Sequence, residues 1–487
     1  MSAAPFVPPV RTLAEFAPLL PELTVIFGAF ALLMLDLFLD ERRRIWTNAL
    51  SIVVLLTAAA MIVFGVGGHG EVMEGVFVRD TGADILKLVV LVVSAASLAY
   101  LWSSLRERGL YQGEASILLL FTVVGMMLLM SAGNLTMVYL GLELMALSTC
   151  ALIAFDRDNP RATEAAMKSF ILGALASGML LYGMSLLYGA TGTLSLDGIR
   201  EAIGTVTGEN RVLLLTGMVF VIAGVAFKFG AAPFHMWLPD TYHGAPTAMT
   251  VFICATRDVA AFAMAWRLFE VAMGPLHDQW QSLVAMLAVL SLAVGNLIAI
   301  AQTNLKRMLA YSTVSHVGFL LMGIAGGGPI GFSASMFYAI SYSIMSAAAF
   351  GAIVMLSRKG FEAERIEDYK GLSTRSPWMA GLVLIVMASL AGVPPLLGFW
   401  AKMAVLRAAL DGGLMWLAIA GVVFAVIGAF YYLRLIKVMY FDEPVGEAVL
   451  PRKSIGLRAM FAVNALALLG LGLFWSPIMA WCQQAFA

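Results

Sequence analysis

VFVIAGVAFKFGAAPFHMWLPDTYHGAPT (Val219–Thr247) runs from an apolar stretch through Lys228 and Pro233 into a segment rich in proline, aromatics and histidine. A second stretch has the same makeup: in MASLAGVPPLLGFWAK (Met387–Lys402), Pro394 and Pro395 stand just before Lys402. A third lysine, Lys168, interrupts the apolar run AAMKSFILGALASG. An ionisable side chain at the centre of a membrane helix costs roughly 2.5–3.5 kcal/mol, so it is rare without a partner or a wet path. Helix breaks at membrane depth are tolerated only where the freed backbone is buried in protein or lines a cavity. Together these features read as a path for a small cation through a membrane.

Of the 487 residues, 61% are hydrophobic and 12% charged, about half the charge of a soluble protein. The chain is therefore a polytopic membrane protein. Lys+Arg and Asp+Glu balance at 30 each, which gives no electrostatic footprint for nucleic acid. Cys150, Cys254 and Cys482 form no C-x-x-C pair, which argues against iron–sulfur ligation. Of the five histidines only His316 lies well inside an apolar segment, which argues against a haem held between two helices. No metal site and no redox centre are expected. Pro5, Pro8 and Pro9 replace the basic-then-apolar order of a cleaved signal, so helix 1 is expected to be retained.

A span needs ~20 mostly apolar residues. That criterion predicts an all-α protein of about fourteen membrane helices, near 19–39, 46–66, 82–102, 115–133, 134–155, 163–189, 211–231, 247–270, 280–301, 306–326, 331–357, 377–410, 413–440 and 455–481. One alternate set of loops is basic: Arg42 to Arg44, Arg106 and Arg108, Arg157 and Arg161, Lys306 and Arg307, the 358–375 loop, and Lys437 to Arg458. The other set, with the amino terminus, holds only Arg11, Arg79, Arg200 and Arg211. The positive-inside rule puts the first set in the cytoplasm (or matrix) and both termini outside. Helices 1–3 (1–114) precede two blocks, 115–270 and 271–440, and helix 14 lies in 441–487. Each block has five helices, the fourth of them broken, so adjacent copies must be inverted. Interrupted helices at matching places in two halves mark a transport site.

Glu143 sits near the middle of helix 5, in YLGLELMALS. A lysine on a neighbouring helix, Lys228 or Lys168, would hold it charged. A lysine switched between a paired and an unpaired state would take up and release a proton, with the two titrations coupled. The alternative is a static ion pair, although a hydrophobic pair is cheaper when stability is the only task. Lys168 is close enough to its helix start to snorkel to the surface. Lys402 has no acid in its own helix before Asp411. Ser312 and His316 share one face of helix 10, where an imidazole suits a proton relay. Ser335, Tyr338, Tyr342 and Ser346 line one face of helix 11, as a water-chain support or as interhelical glue. Arg257 and Asp258 of helix 8 are sequence neighbours, pointing about 100° apart, and are not expected to face each other as an i,i+4 pair would, although a shared partner or water could link them. His235 and Asp240 read as structural parts of a rigid re-entrant turn.

These residues resemble the antiporter-like membrane subunits of respiratory complex I, the NADH–quinone oxidoreductase. The matching stretches are LLPELTVIFGAFALLMLDLF, YLGLELMALS, KFGAAPFHMWLPDTYHGAPT, QTNLKRMLAYSTVSHVGFLLMGI and AGVPPLLGFWAKMAVLRAA, spread over most of the chain. Three details narrow the match to one branch: the opening PEL, a lysine at 402 where one sister has glutamate, and no long amphipathic helix expected after helix 14. The resemblance implies that Glu143 and Lys228 are the charged pair of a first half-channel, Lys168 its modulator and Lys402 the exit-side proton carrier. It implies a lysine on helix 8, where this chain has Asp258 after Arg257; arginine does not release its proton at physiological pH, so the central link is left open.

The expected function is proton translocation driven by quinone reduction elsewhere in the complex. No cofactor is expected in this chain; NADH, FMN, iron–sulfur clusters and quinone belong to partner subunits. Expected partners are the other membrane and peripheral subunits, including paralogous antiporter-like ones, in a bacterial inner membrane. An Mrp-type cation/proton antiporter subunit is the alternative, with a quinone-binding anchor and a scaffold further behind.

Overall fold

The computed structural model describes residues 13–40, 43–444, 451–452 and 454–487; Arg11, Arg42 and Lys453 of the charge pattern lie outside the described residues. Among the described residues, twelve helices are long and apolar enough to cross a membrane, and two shorter apolar ones, Glu114–Met130 and Pro377–Ala391, fill the places of helix 4 and the first half of helix 12. Helix 7 runs over Glu209–Phe229 and resumes as Trp237–Gly244, while helix 12 resumes as Leu397–Asp411. The 377–410 segment is thus two helices, and the stretch after Pro233 is a short helix as well as a turn. Helix 8 starts at Thr247 and ends in a wider π turn, Trp266–Ala272. Helix 14 stops at Leu473, and Ser476–Gln484 forms a separate helix.

The two breaks are built alike. Each first half ends on a glycine in the left-handed region, Gly230 (φ 69°) and Gly392 (φ 89°). The next residue turns back to close the last turn: Ala231 N–H donates to Ala226 O (2.9 Å) and Val393 N–H to Ala388 O (3.0 Å). Each break then carries a cis proline bond, Ala232–Pro233 and Pro394–Pro395.

The halves also correspond residue by residue. Asn134 and Asn304 cap helices 5 and 10 through their side chains, accepting from Met137 N–H and Arg307 N–H. The same distance along the chain separates their bridge partners, Asn134 with Ser195 and Asn304 with Arg365. It also separates Gly125 from Gly295, which let helices 4 and 9 approach the backbones of helices 5 and 10 at Met145 and Ser315. The repeat is therefore written in the sequence more clearly than helix layout suggests.

Helix 8 is buried from Thr247 to Phe269 and helices 10 and 11 are buried over most of their length, whereas helices 6, 13 and 14 present much of their surface outward. The polar residues of the central three thus form an axis shielded by the other helices. Ion pairs join the basic loops at one end of the bundle. Arg108 and Lys306 meet Glu362 (3.3 and 3.5 Å), Arg161 and His243 meet Glu364 (3.9 and 3.5 Å), and Arg452 meets Glu107 (3.2 Å). At the other end a hairpin of Gly70–Val72 and Phe77–Arg79 packs near the turn into helix 5. There Arg267 pairs with Asp80 at 2.7 Å.

A buried ion pair that helix periodicity does not announce links helices 1 and 3. Lys87 and Glu22 are both 0% exposed, 2.6 Å apart, and their charged atoms make no other protein hydrogen bond among the described residues. Lys87→Met strands a buried carboxylate and is expected to cost roughly 3–5 kcal/mol, whereas Glu22→Leu/Lys87→Met together should be close to neutral. Thermal unfolding of the purified variants measures this; a double variant as unstable as the single would contradict it.

Candidate functional site

Lys228 lies in the last turn of the first half of helix 7, on a cavity of about 80 Å³ that also touches Glu143, Cys150, Ser177, Trp237 and Arg257. A water needs about 10–15 Å³ by the same measure, so the space can hold several. Lys228 Nζ donates to Ser177 Oγ at 2.8 Å, and among the described residues no carboxylate stands within ion-pair reach of it. The Glu143 Oε1 atom is buried without a hydrogen-bond partner. Glu143 and Lys228 therefore share a chamber without forming the direct pair the sequence suggested. Ser177, on the same helix as Lys168 and about two and a half turns further along, takes the contact instead.

Lys168 does not approach Glu143. Its Nζ reaches Glu164 (2.7 Å) and Asp240 (2.9 Å) at the basic end of the bundle. Asp240 also receives Arg307 at 3.1 Å, so it ties helices 6 and 10 to the second half of helix 7. The snorkelling expectation holds for Lys168. Besides Glu164 on its own helix, Asp240 is its partner, an assignment that needs the fold because the two lie far apart in sequence. His235 is half-buried, with Nδ1 unpartnered among the described residues.

Arg257 and Asp258 do meet, against expectation. Arg257 Nε and Nη2 donate to Asp258 Oδ1 at 2.9 and 2.5 Å. Their Cβ directions diverge as neighbours on a helix must, but the long guanidinium reaches back around it. Arg257 Nη2 also donates to Phe229 O (3.2 Å), a carbonyl freed by the break in helix 7.

Lys402 makes the matching contact in the second half. Its Nζ donates to Leu390 O (3.0 Å) and Ala391 O (2.9 Å), at the end of the first half of helix 12, and lies 5.3 Å from the Phe319 ring centroid. A cation at a helix carboxyl end is stabilised by the unpaired carbonyls and the helix dipole.

His316 of helix 10 is held by tyrosines of helices 11 and 13. Its Nδ1 is 2.7 Å from Tyr338 Oη and its Nε2 3.0 Å from Tyr432 Oη, and its ring stacks on Tyr342 at 4.5 Å. Tyr342 donates to Thr313 (2.7 Å), Ser312 bonds Tyr432, and Tyr431 donates to Asn296 (3.0 Å). Of the helix 11 stripe, Tyr338 and Tyr342 join this network. Ser335 and Ser346 instead bond backbone carbonyls, Leu320 O and Cys254 O. Tyr431 and Tyr432 were missed because nothing in the pattern of helix 13 shows which face meets helix 10.

The loop carboxylates at the basic end show the electrostatics of that face. A hydrogen bond with His243 leads the effects holding Glu364 down to about 2, against burial, with Lys306 and Asn304 adding to it. Burial pushes Glu362 up, but Lys306 and Arg108 together outweigh it and leave it below the ordinary value. A depressed carboxylate adds stability fully present above its unfolded value, near 4.5 for glutamate, and lost as pH falls through about 2. Hydrogen-exchange protection in the 357–376 loop, taken relative to the intrinsic exchange rate at each pH, should fall across that window, and Glu364→Gln should flatten the response. An unchanged pH profile in Glu364→Gln would refute the assignment.

This is the architecture of an ion-translocating membrane subunit: two broken helices, each with a buried cation at its break, and a buried histidine, tyrosine and hydroxyl network on helices 9, 10, 11 and 13. Residues 132–428 match the family described as NADH:quinone oxidoreductase/Mrp antiporter, transmembrane. NADH-quinone oxidoreductase subunit N of Xanthomonas euvesicatoria pv. vesicatoria is 63% identical over 488 residues, covering 100% of this chain and 99% of that protein. Subunit N of Alkalilimnicola ehrlichii is 49% identical over 479 residues, covering 98% of each. The chain belongs to this family, in its subunit N branch. A chain of respiratory complex I from Thermus thermophilus is similar in structure, with TM-score 0.80 at 29% identity over 94% of this chain and 98% of that one. A chain of the Mrp complex from Dietzia sp. has TM-score 0.84 at 22% identity, over 98% and 97%, which speaks to the fold alone.

Proposed function

We propose that the chain moves protons across a bacterial inner membrane as the subunit N component of NADH–quinone oxidoreductase. Quinone reduction elsewhere in the complex supplies the energy. The proposal covers the placement of both termini in the periplasm and the two inverted units, 115–270 and 271–440. The observation that carries it is the buried polar axis from the Lys228 cavity, past Arg257–Asp258 and His316, to Lys402 at the second break. Lys168 and Asp240 stand at the end of the bundle where the basic loops cluster, and Lys402 at the far end of the axis. A change in charge or hydration near Glu143 would alter how Lys228 holds its proton, pass it inward and release it from Lys402.

In this reading the chain itself carries no cofactor; NADH, FMN, iron–sulfur clusters and quinone stay with partner subunits. An Mrp-type antiporter subunit is the second reading, because the family description covers both and the Dietzia chain shares the fold. The full-length identity to subunit N relatives favours the first. Purifying the tagged chain from its native membranes tests the choice. NADH-oxidising, quinone-reducing activity should co-purify with it; recovery only with antiporter subunits would reverse the order.

A further inference from the structure

The centre of the axis holds a pair whose atoms are unequally satisfied. Asp258 Oδ1 takes two hydrogen bonds from Arg257, whereas Asp258 Oδ2 is buried with no partner among the described residues. Arg257 is held on several sides: by Asp258, by Phe229 O, and by the rings of Trp237 and Tyr242 with centroids 5.2 and 5.5 Å away. It also lines the chamber shared by Glu143 and Lys228. The titratable groups in electrostatic range of Asp258 are Tyr242, Cys254, Tyr338 and Tyr342, besides Arg257. Tyr342 and Tyr338 are the residues that stack on and bond to His316. Asp258 is thus tied to the first chamber through Arg257 and is in electrostatic range of the tyrosines that hold His316.

We propose that Asp258 Oδ2 is the proton-carrying group at the middle of this axis, and that Arg257 is its fixed counter-cation and positioning residue. This rests on the proton-translocation reading. The argument is one of charge. Arginine keeps its proton, so the pair is neutral when Asp258 is ionised and carries one positive charge when Asp258 is protonated. A lone lysine at this depth would pass through the same two charge states. The pair thus does the electrostatic work of a titrating amine, with the proton on a carboxyl oxygen. In the transfer step Lys228 gives up one N–H proton through the chamber, and Asp258 Oδ2 gains an O–H bond. The reverse step breaks that bond and passes the proton toward the His316 network. Arg257 stays put, capping the broken helix.

The intact complex carrying Asp258→Asn, reconstituted in liposomes, tests this. Asparagine keeps the shape and the acceptor for Arg257 but cannot cycle its charge. Losing a positioned proton carrier slows transfer about 10²-fold or more, so protons moved per NADH oxidised should fall while assembly is unchanged. Arg257→Ala/Asp258→Lys restores a single titrating cation and should recover pumping. Infrared difference spectra at turnover should show a protonated-carboxyl band in the parent complex that is missing in Asp258→Asn. Normal pumping in Asp258→Asn, persistence of the band in that variant, or an assembled double variant that does not pump would overturn the assignment. Lys228→Arg separates the two levels. Pumping lost there but kept in Asp258→Asn sinks only the Asp258 role; pumping kept in both sinks the translocation reading as well.

Discussion

Lys402→Arg is expected to abolish proton movement through this subunit while leaving the fold intact. Arginine can still donate to Leu390 O and Ala391 O and lie over Phe319, so the second break keeps its cap. What it cannot do is release a proton near neutral pH. Lys402→Ala removes both functions and is expected to loosen the break as well. Comparing the two separates proton release from support of the helix end. Protons translocated per NADH, measured in liposomes with the rate of NADH oxidation, should drop in both. Normal stoichiometry in Lys402→Arg would mean that Lys402 is a cap and nothing more.

Lys228→Met should have a comparable effect from the opposite end of the axis. The side chain nearly fills the same volume, so the packing of helices 6 and 7 is kept, but Ser177 loses its donor and the chamber loses its base. A positioned acid–base group contributes about 10²–10⁴-fold to proton transfer, and loss on that scale would appear as a fall in pumping per NADH. Glu143→Gln should give a milder defect, because Glu143 shares the chamber without touching Lys228. If Glu143→Gln were the more damaging of the two, the first step would have to begin at the carboxylate. Equal, undiminished stoichiometry in both variants would remove the chamber from the mechanism.

Much of this could be read from the chain. Helix count, the two breaks and the buried lysines follow from apolar run lengths interrupted by glycine, proline and charge. The common face of the basic loops follows from charge bias, and Glu362 and Glu364 hold it together. Partners were less legible. Lys168 finds Asp240, Lys228 finds Ser177 and His316 finds Tyr432, and each choice depends on how helices far apart in sequence are rotated against one another. Arg257 and Asp258 illustrate a different failure: Cβ geometry keeps them apart, and side-chain length brings them together. The Leu196–Ile203 helix and the 70–79 hairpin were missed because they are short elements in the connections between spans, outside any span-length pattern. The repeat had a usable signal in Asn134-Leu135 and Asn304-Leu305, two like caps that open helices 5 and 10.

The claim beneath all of these predictions is that buried amines and their hydroxyl neighbours form a wetted line along which H⁺ can hop. Locating ordered water in a high-resolution cryo-EM map of the intact complex tests that directly. The account predicts water in the Lys228–Glu143 chamber and density linking Asp258, His316 and Lys402 with no dry gap longer than a hydrogen bond or two. A map in which protein side chains seal each of these groups off from water would contradict it.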